Sequence, residues 1–236
     1  MRLYCSSFRL GDRTDLLVDL VRRSPESLDS PGSLDSPGSL DSPGSPRVAV
    51  VANACDTGPV ERRPEAVALE LTALQGLGFA PYEVDLRDFD ASTTTLATEL
   101  AGCAALWVRG GNAFTLRMAM ARSGADHLIP QLLRDDALVY AGYSAGPCVL
   151  APTLRGLELC DEPADTVELY GPELVWDGLG VLDRPFVPHL DTPGHVETEL
   201  VAKVAALYRR QGTPYWGLRD GQVLVVDGAL SAAAVV

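Results

Sequence analysis

The sequence is poor in paired cysteines, in histidine and in long apolar runs. Its five cysteines are scattered and none belongs to a Cys-x-x-Cys pair, which argues against a disulfide framework and against a zinc site. No stretch approaches the roughly 18 consecutive apolar residues of a membrane-spanning helix, and no charged start leads into the apolar segment of a secretion signal. We therefore expect a cytoplasmic protein with no membrane partner, no cofactor and no metal.

Basic residues are also scarce. The chain has 19 lysines and arginines against 32 aspartates and glutamates, so its net charge is −13 at pH 7, and no basic cluster is visible. Nucleic acids and anionic membranes are bound through such clusters, which argues against both as partners. Apolar sequence is plentiful, because 47% of the 236 residues are hydrophobic. That content suffices for one sizeable α/β domain.

One segment departs from this composition. Ser-Leu-Asp-Ser-Pro-Gly occurs three times in succession between residues 27 and 44. Such a composition buries too little apolar surface to offset the entropy lost on ordering. We predict a disordered insert at 27–45 within a single domain that spans residues 1–236.

Elsewhere, strands and helices alternate as in a doubly wound sheet. Apolar runs predict strands at 47–52, 82–86 and 103–109, and helical spacing predicts helices at 64–77 and 96–100. The alternation predicts an α/β fold around a mostly parallel central sheet.

The most informative motif is Gly142-Tyr143-Ser144-Ala145-Gly146, which follows a short apolar run. Gly-x-Ser-x-Gly is the pattern of a nucleophile elbow, a strained strand-to-helix turn that exposes a serine hydroxyl. We expect glycine on both sides because the reversal brings strand and helix too close for side chains. The motif predicts Ser144 as a nucleophile and the amide of Ala145 as an oxyanion donor. A turn without catalytic role would satisfy the same short pattern.

A second glycine turn, Gly110-Gly111-Asn112, follows the predicted strand at 103–109. Without side chains in the way, its backbone amides can face a ligand. Such turns are common structural devices, but beside a nucleophile elbow this one predicts Gly111 as the second oxyanion donor.

A base and an acid are available later in the chain. His189, one of three histidines, ends an apolar segment, where a neutral imidazole can act as the general base for Ser144. Of the others, His127 is predicted to be structural and His195 to lie near the start of a helix. Asp220 is the candidate acid that orients His189. The alternative is that its Asp-Gly pair only forms a hairpin turn.

These motifs together resemble the peptidase E (aspartyl dipeptidase) family, which belongs with the cyanophycinases. The resemblance implies a three-layer α/β/α sandwich similar to class I glutamine amidotransferases. It also implies a serine exopeptidase or dipeptidase that hydrolyses short peptides through an acyl-enzyme, with Ser144, His189 and Asp220 as the triad and Gly111 and Ala145 as oxyanion donors. The matching segments, in chain order, are 108–114, 140–146, 188–189 and 217–221.

Two departures bear on specificity. Members of the family often have glutamate where this chain has Asp220, and an arginine after Gly-Glu-Thr that pairs with the substrate's aspartate. Here the comparable stretch is Glu197-Thr198-Glu199, where an acid would repel an aspartyl carboxylate. We predict that Asn112 and Glu199 bind substrate and that strict aspartyl specificity is absent. The alternative is that the glutamates merely begin a helix, and that a basic residue such as Arg109 or Arg155 recognises the substrate.

Two other functions remain open. One is hydrolysis of a β-aspartyl or cyanophycin-like amide by the same triad. The other is a catalytically silent, amidotransferase-like module that binds a small molecule or a protein. An intact Ser-His-acid set favours an enzyme.

Overall fold

The computed structural model describes residues 1–24, 44–59, 62–90 and 93–236. Of the insert predicted at 27–45, residues 27–43 lie outside the described residues.

The strands form two sheets. Their bounds are β1 (Arg2–Ser6), β2 (Arg47–Val51), β3 (Ala80–Glu83), β4 (Ala105–Val108), β5 (Val139–Tyr143), β6 (Phe186–Val187), β7 (Trp216–Gly217), β8 (Val223–Asp227) and β9 (Ala234–Val235). The central sheet has the order β3-β2-β4-β5-β1-β8-β9, and β6 pairs with β7 in a small second sheet. The strands from β3 to β1 run parallel, whereas β8 and β9 are antiparallel to their neighbours.

Helices cover both faces of the central sheet. Their bounds are α1 (Thr14–Arg22), α2 (Arg62–Gln75), α3 (Thr93–Leu100), α4 (Ala113–Ser123), α5 (Ala125–Arg134), α6 (Ala145–Cys148), α7 (Pro163–Tyr170) and α8 (Thr198–Gln211). Helix α4 shows how local sequence sets such bounds, because Asn112 caps its first turn and Gly124, at φ 78°, ends it in a left-handed conformation.

Alternate strand residues face opposite layers. On one face Leu3, Leu106 and Tyr140 pack with apolar side chains of α3, α4, α5 and α8. On the other face Tyr4 and Trp107 pack with those of α1 and α2. Burial on both faces explains the near-continuous apolar runs of the strands. The predicted α/β fold, with three layers around a mostly parallel sheet, is confirmed.

The carboxyl ends of β4, β5 and β1 meet at one edge of the sheet. Their registers place Val108 opposite Gly142, and Tyr143 opposite Ser6. The N–H of Ser144 donates to the carbonyl of Ser6 at 3.3 Å. Residues that directly follow these three strands are therefore neighbours, and the two glycine turns predicted to carry chemistry lie among them.

Asp220 and Gly221 lie in a turn, closed by a 3.0 Å hydrogen bond from the N–H of Gln222 to the carbonyl of Arg219, but the strands on either side of it do not pair as a hairpin. β7 pairs with β6 in the small sheet, whereas β8 pairs with β1 in the central sheet. The segment that contains Asp220 therefore connects two sheets. Within the described residues, we find no helix with the length and apolar character needed to cross a membrane.

Candidate active site

Ser144 occupies a strained turn between β5 and α6. Its backbone has φ 54° and ψ −113°, in a region that costs a residue other than glycine about 1–3 kcal/mol. A Cβ added at Gly142 or Gly146 would lie under 3.0 Å from the carbonyl oxygen of Val108. The flanking glycines are thus needed because β4 packs against the elbow, with Val108 supplying the nearest atoms at both positions.

The Gly110-Gly111 turn lies against the same serine. A Cβ on Gly110 would be 2.8 Å from the Cβ of Ser144, and one on Gly111 would meet the carbonyl of Ala54. The N–H of Gly111 has no protein acceptor within the part of the chain that the structure describes. Ala145 is the first residue of α6, so its N–H has no acceptor inside the helix. Ala145 directly follows Ser144, and Gly111 follows the glycine that lies against Ser144, so the two amides remain candidates for the oxyanion donors.

Asn112, predicted to bind substrate, has its side-chain amide engaged elsewhere. Its Oδ1 accepts from the N–H groups of Phe114 and Thr115 at 2.9 and 3.1 Å, and its Nδ2 donates to the carbonyl of Glu162 at 2.9 Å. These bonds cap α4 and fix the approach to α7. Substrate binding by Asn112 stays a prediction, and the contacts of its side chain are those of a helix cap.

His189 and Asp220 form a close pair. The Nδ1 of His189 and the Oδ1 of Asp220 are 2.7 Å apart, and the histidine is only 2% exposed. A carboxylate can only accept, so Nδ1 carries the proton and Nε2 keeps a free lone pair. The pair is therefore arranged as the base and acid of a Ser-His-Asp triad require.

Ser7, which the sequence analysis misses, connects this pair to the sheet. It directly follows β1 and is fully buried. Its Oγ accepts from the N–H of His189 at 2.8 Å and donates to the Oδ1 of Asp220 at 2.9 Å. The signal for it is a polar pair, Ser6-Ser7, at the end of a buried strand.

The pKa of His189 is lowered mainly by burial. The Asp220 carboxylate acts in the opposite direction, a charge on His195 would lower the pKa further, and that of Glu197 raises it. The net effect keeps the imidazole neutral at pH 7, the protonation state of a general base.

The other histidines differ from each other. His195 lies in the loop before α8, and its ring stacks on that of His189 with centroids 3.8 Å apart. His127 lies on α5 with 87% of its side chain exposed, so it takes no part in the core.

Two carboxylates, those of Asp220 and Glu197, lie near the nitrogens of the base. The Oε2 of Glu197 is 3.9 Å from the Nε2 of His189, and the Glu197 side chain is 41% exposed. Glu199, predicted to bind substrate, is exposed in the first turn of α8. Burial, with a contribution from Glu197, raises the pKa of Asp161 to about 7, although the N–H of Ala113 donates to this carboxyl at 2.7 Å. On the Nε2 side of His189, the carboxylate that lies near the base is that of Glu197.

The two arginines considered for recognition are engaged elsewhere. Arg109 forms an ion pair with Glu70 at 3.2 Å. The guanidinium of Arg155 lies 5.0 Å from the ring centroid of Trp176.

A metal could in principle be held by His189, His195 and Asp220, whose donor atoms lie within 4.8 Å of one another. The two rings, however, are parallel to within 5° and stacked. A metal ion lies close to the plane of each imidazole that binds it, so one ion cannot meet both rings without rotation of one. As arranged, the cluster suits proton transfer better than coordination.

Comparison with known proteins gives one family. The model of peptidase family S51 matches residues 42–232. The chain is 29% identical over 144 residues to the uncharacterized peptidase Lmo0363 of Listeria monocytogenes serovar 1/2a, covering 61% of this chain and 65% of that protein. It is 31% identical over 117 residues to the uncharacterized peptidase Lin0382 of Listeria innocua serovar 6a, covering 50% and 53%. The chain thus spans between about half and two thirds of the length of these curated relatives.

Solved structures share the fold. A crystal structure of a peptidase E candidate from Listeria monocytogenes EGD-e matches with a TM-score of 0.73 at 19% identity, covering 100% of this chain and 97% of that one. A peptidase from an acI-B1 Actinobacterium matches with a TM-score of 0.64 at 14% identity, covering 100% and 86%. At these identities the likeness concerns the fold.

Proposed function

The chain belongs to peptidase family S51, and from that premise we propose that it is a serine-type exopeptidase or dipeptidase that hydrolyses short peptides. Ser144 is the nucleophile, His189 the general base and Asp220 the acid that orients the base. The amides of Gly111 and Ala145 stabilise the oxyanion.

The observation that carries the proposal is the 2.7 Å pairing of His189 with Asp220 at the sheet edge where β5 ends in the turn that carries Ser144. Ser7 ties this pair to the end of β1, and Ser144 follows β5, the strand beside it. The proposed base and nucleophile are thus supported by adjacent strands, which favours a fixed distance between them.

The chemistry follows from these positions. The Oγ of Ser144 attacks the scissile carbonyl carbon while its proton passes to the Nε2 of His189. The carbonyl oxygen becomes an anion between the two N–H donors, each worth about 10²- to 10³-fold in kcat. Collapse breaks the C–N bond, and the leaving amine takes the proton from Nε2. Water, activated by the same nitrogen, then hydrolyses the ester on Ser144.

Charge around the base supports a preference against N-terminal aspartate. A substrate carboxylate beside Nε2 would face Glu197, whose Oε2 is 3.9 Å from that atom. The alternative cations, Arg109 and Arg155, are engaged by Glu70 and Trp176. We propose that neutral or basic N-terminal residues are preferred over aspartate.

A dipeptide panel tests this function. The panel contains Ala-X, Lys-X, Asp-X and β-aspartyl-X peptides, assayed with the wild type, Ser144→Ala and the exposed control Ser231→Ala. We expect hydrolysis of Ala-X or Lys-X, a loss of about 10⁴-fold or more in Ser144→Ala, and wild-type rates in the control. Cleavage of the β-aspartyl peptides alone would favour the isopeptide alternative. No cleavage of any peptide would refute the peptidase proposal.

A further inference from the structure

Two imidazole rings lie face to face at the proposed site. The centroids of His189 and His195 are 3.8 Å apart, and their planes differ by 5°. Phe8 approaches from the side, edge-on to both rings, with centroid distances of 5.7 and 5.5 Å. One face of the His189 ring, the proposed base, is therefore covered by the ring of His195.

The loop that carries His195 is tied to both members of the His-Asp pair. The hydroxyl of Thr198 donates to the carbonyl of His189 at 2.9 Å and accepts from the N–H of Thr192 at 3.1 Å. The Oγ1 of Thr192 accepts from the N–H of Asp220 at 3.0 Å. These bonds hold the loop in register with the pair, so the stack is a fixed part of the site.

One further bond sets the protonation of His195. Its Nδ1 accepts from the N–H of Glu197 at 3.2 Å. A ring nitrogen that accepts a hydrogen bond carries no proton, so the ring is neutral with its proton on Nε2. Protonation of Nδ1 would break this bond and bring a cation against the face of His189.

We propose that His195 is a positioning residue for the general base, an inference that rests on the proposed role of His189. The bond from Nδ1 to Asp220 fixes one atom of the His189 ring and leaves the ring able to pivot about it. The stack opposes that pivot, because a tilted ring would leave the face of its partner. Nε2 then keeps its position relative to Ser144, and a misplacement of about 1 Å at such an atom costs about 100-fold in rate.

The charged groups near the two nitrogens of His189 are both carboxylates, whereas His195 lies against the face of the ring. Asp220 lies at Nδ1, and Glu197 lies 3.9 Å from Nε2. Both favour the imidazolium that forms when Ser144 is deprotonated, whereas a charged His195 would oppose it. His195 therefore covers the ring with an imidazole whose Nδ1 accepts a hydrogen bond from the N–H of Glu197.

Matched substitutions separate the stack from the other contacts of His195. His195→Phe and His195→Leu both lose the acceptor for Glu197, but only phenylalanine offers a flat ring. We expect the leucine variant to lose about tenfold in kcat with KM within twofold of the wild type, and the phenylalanine variant to keep most of its kcat. His127→Leu, at an exposed histidine away from the site, is the control and is expected to match the wild type.

A second readout reports on the pair without turnover. The proton shared by His189 and Asp220 is expected to give a far-downfield proton NMR signal. This signal should be sharp in the wild type and in the phenylalanine variant and broadened by exchange in the leucine variant. If His195→Leu melts without cooperativity, His195→Gln, which keeps an acceptor but no ring, replaces it with the same expected losses.

The outcomes separate the inference from the proposed function. Equal kcat, or an equally sharp signal, in the wild type and the ringless variant overturns the positioning role. If the wild type still hydrolyses peptides and Ser144→Ala does not, the proposed function stands without a positioning role for His195. No turnover by the wild type overturns both.

Discussion

Replacing Ser7 by alanine removes one hydroxyl from behind the His189–Asp220 pair. The Oγ of Ser7 accepts from the N–H of His189 at 2.8 Å and donates to Asp220 at 2.9 Å. The side chain is 0% exposed, so alanine leaves a buried N–H without its acceptor and a carboxylate without one of its donors.

The size of the effect follows from that loss. A buried donor left unsatisfied costs about 1–3 kcal/mol. In a chain of this size, each kcal/mol lowers the melting temperature by about 2–4 °C, so we expect a fall of about 2–12 °C. His189 is held at φ 57°, and loss of the bond to its N–H relaxes the backbone that aims the ring. We expect kcat to fall about tenfold with little change in KM.

Ser24→Ala is the matched control for thermal melting and peptide hydrolysis. Ser24 is as buried as Ser7, but its hydroxyl has no hydrogen-bond partner within the described ranges. Its removal is expected to leave the melting temperature and kcat unchanged. If Ser7→Ala also melted and turned over like the wild type, the reasoning that Ser7 holds the pair would be refuted.

Three further predictions concern charge and the insert. The pKa of Asp161 is raised to about 7 from an ordinary value of about 4, so its ionisation disfavours the folded state as the pH rises between these values. Asp161→Asn should therefore melt increasingly above the wild type from pH 4 to 7, and a constant difference would contradict this. Glu197→Gln should improve kcat/KM for Asp-X relative to Ala-X by about tenfold, and more than Glu199→Gln does; a wild type that prefers Asp-X would exclude repulsion by Glu197. Deletion of residues 27–44 with a short flexible link should leave activity and cooperative melting intact, because the composition of that segment favours no packed structure; loss of cooperative melting would show that it packs.

Local signals in the sequence predict the elbow and the fold. The glycines of the elbow, Gly142 and Gly146, can be recognised because close backbone contact, here with β4, leaves room only for glycine. Strands that are buried on both faces can be recognised as apolar runs. The helix cap at Asn112 is also a local signal, since an asparagine before an apolar helix is a preferred N-cap. The sequence analysis predicts substrate binding by Asn112 instead, because the two glycines before it favour a turn that faces a ligand.

Long-range contacts cannot be predicted in this way. Ser7 bridges the pair only because β1 lies between β5 and β8, an order that no local pattern specifies. The sequence predicts that His195 lies near the start of a helix, and α8 begins three residues later, at Thr198. The loop before it folds back through left-handed backbone at His189 and Asp191, which brings His195 over the base. Asp220 reaches His189 because its segment joins two sheets, where the sequence also allowed a hairpin.

The proposed triad of Ser144, His189 and Asp220 is tested most directly by covalent labelling with a fluorophosphonate, followed by mapping of the adduct by mass spectrometry. We predict one adduct, on the peptide that contains Ser144, because that hydroxyl is the one activated by a neutral, oriented imidazole. Labelling should be lost in His189→Ala and slowed at least about 100-fold in Asp220→Asn, which disturbs the tautomer of the base. An adduct on another residue, or labelling of Ser144 at the wild-type rate in His189→Ala, would contradict the triad.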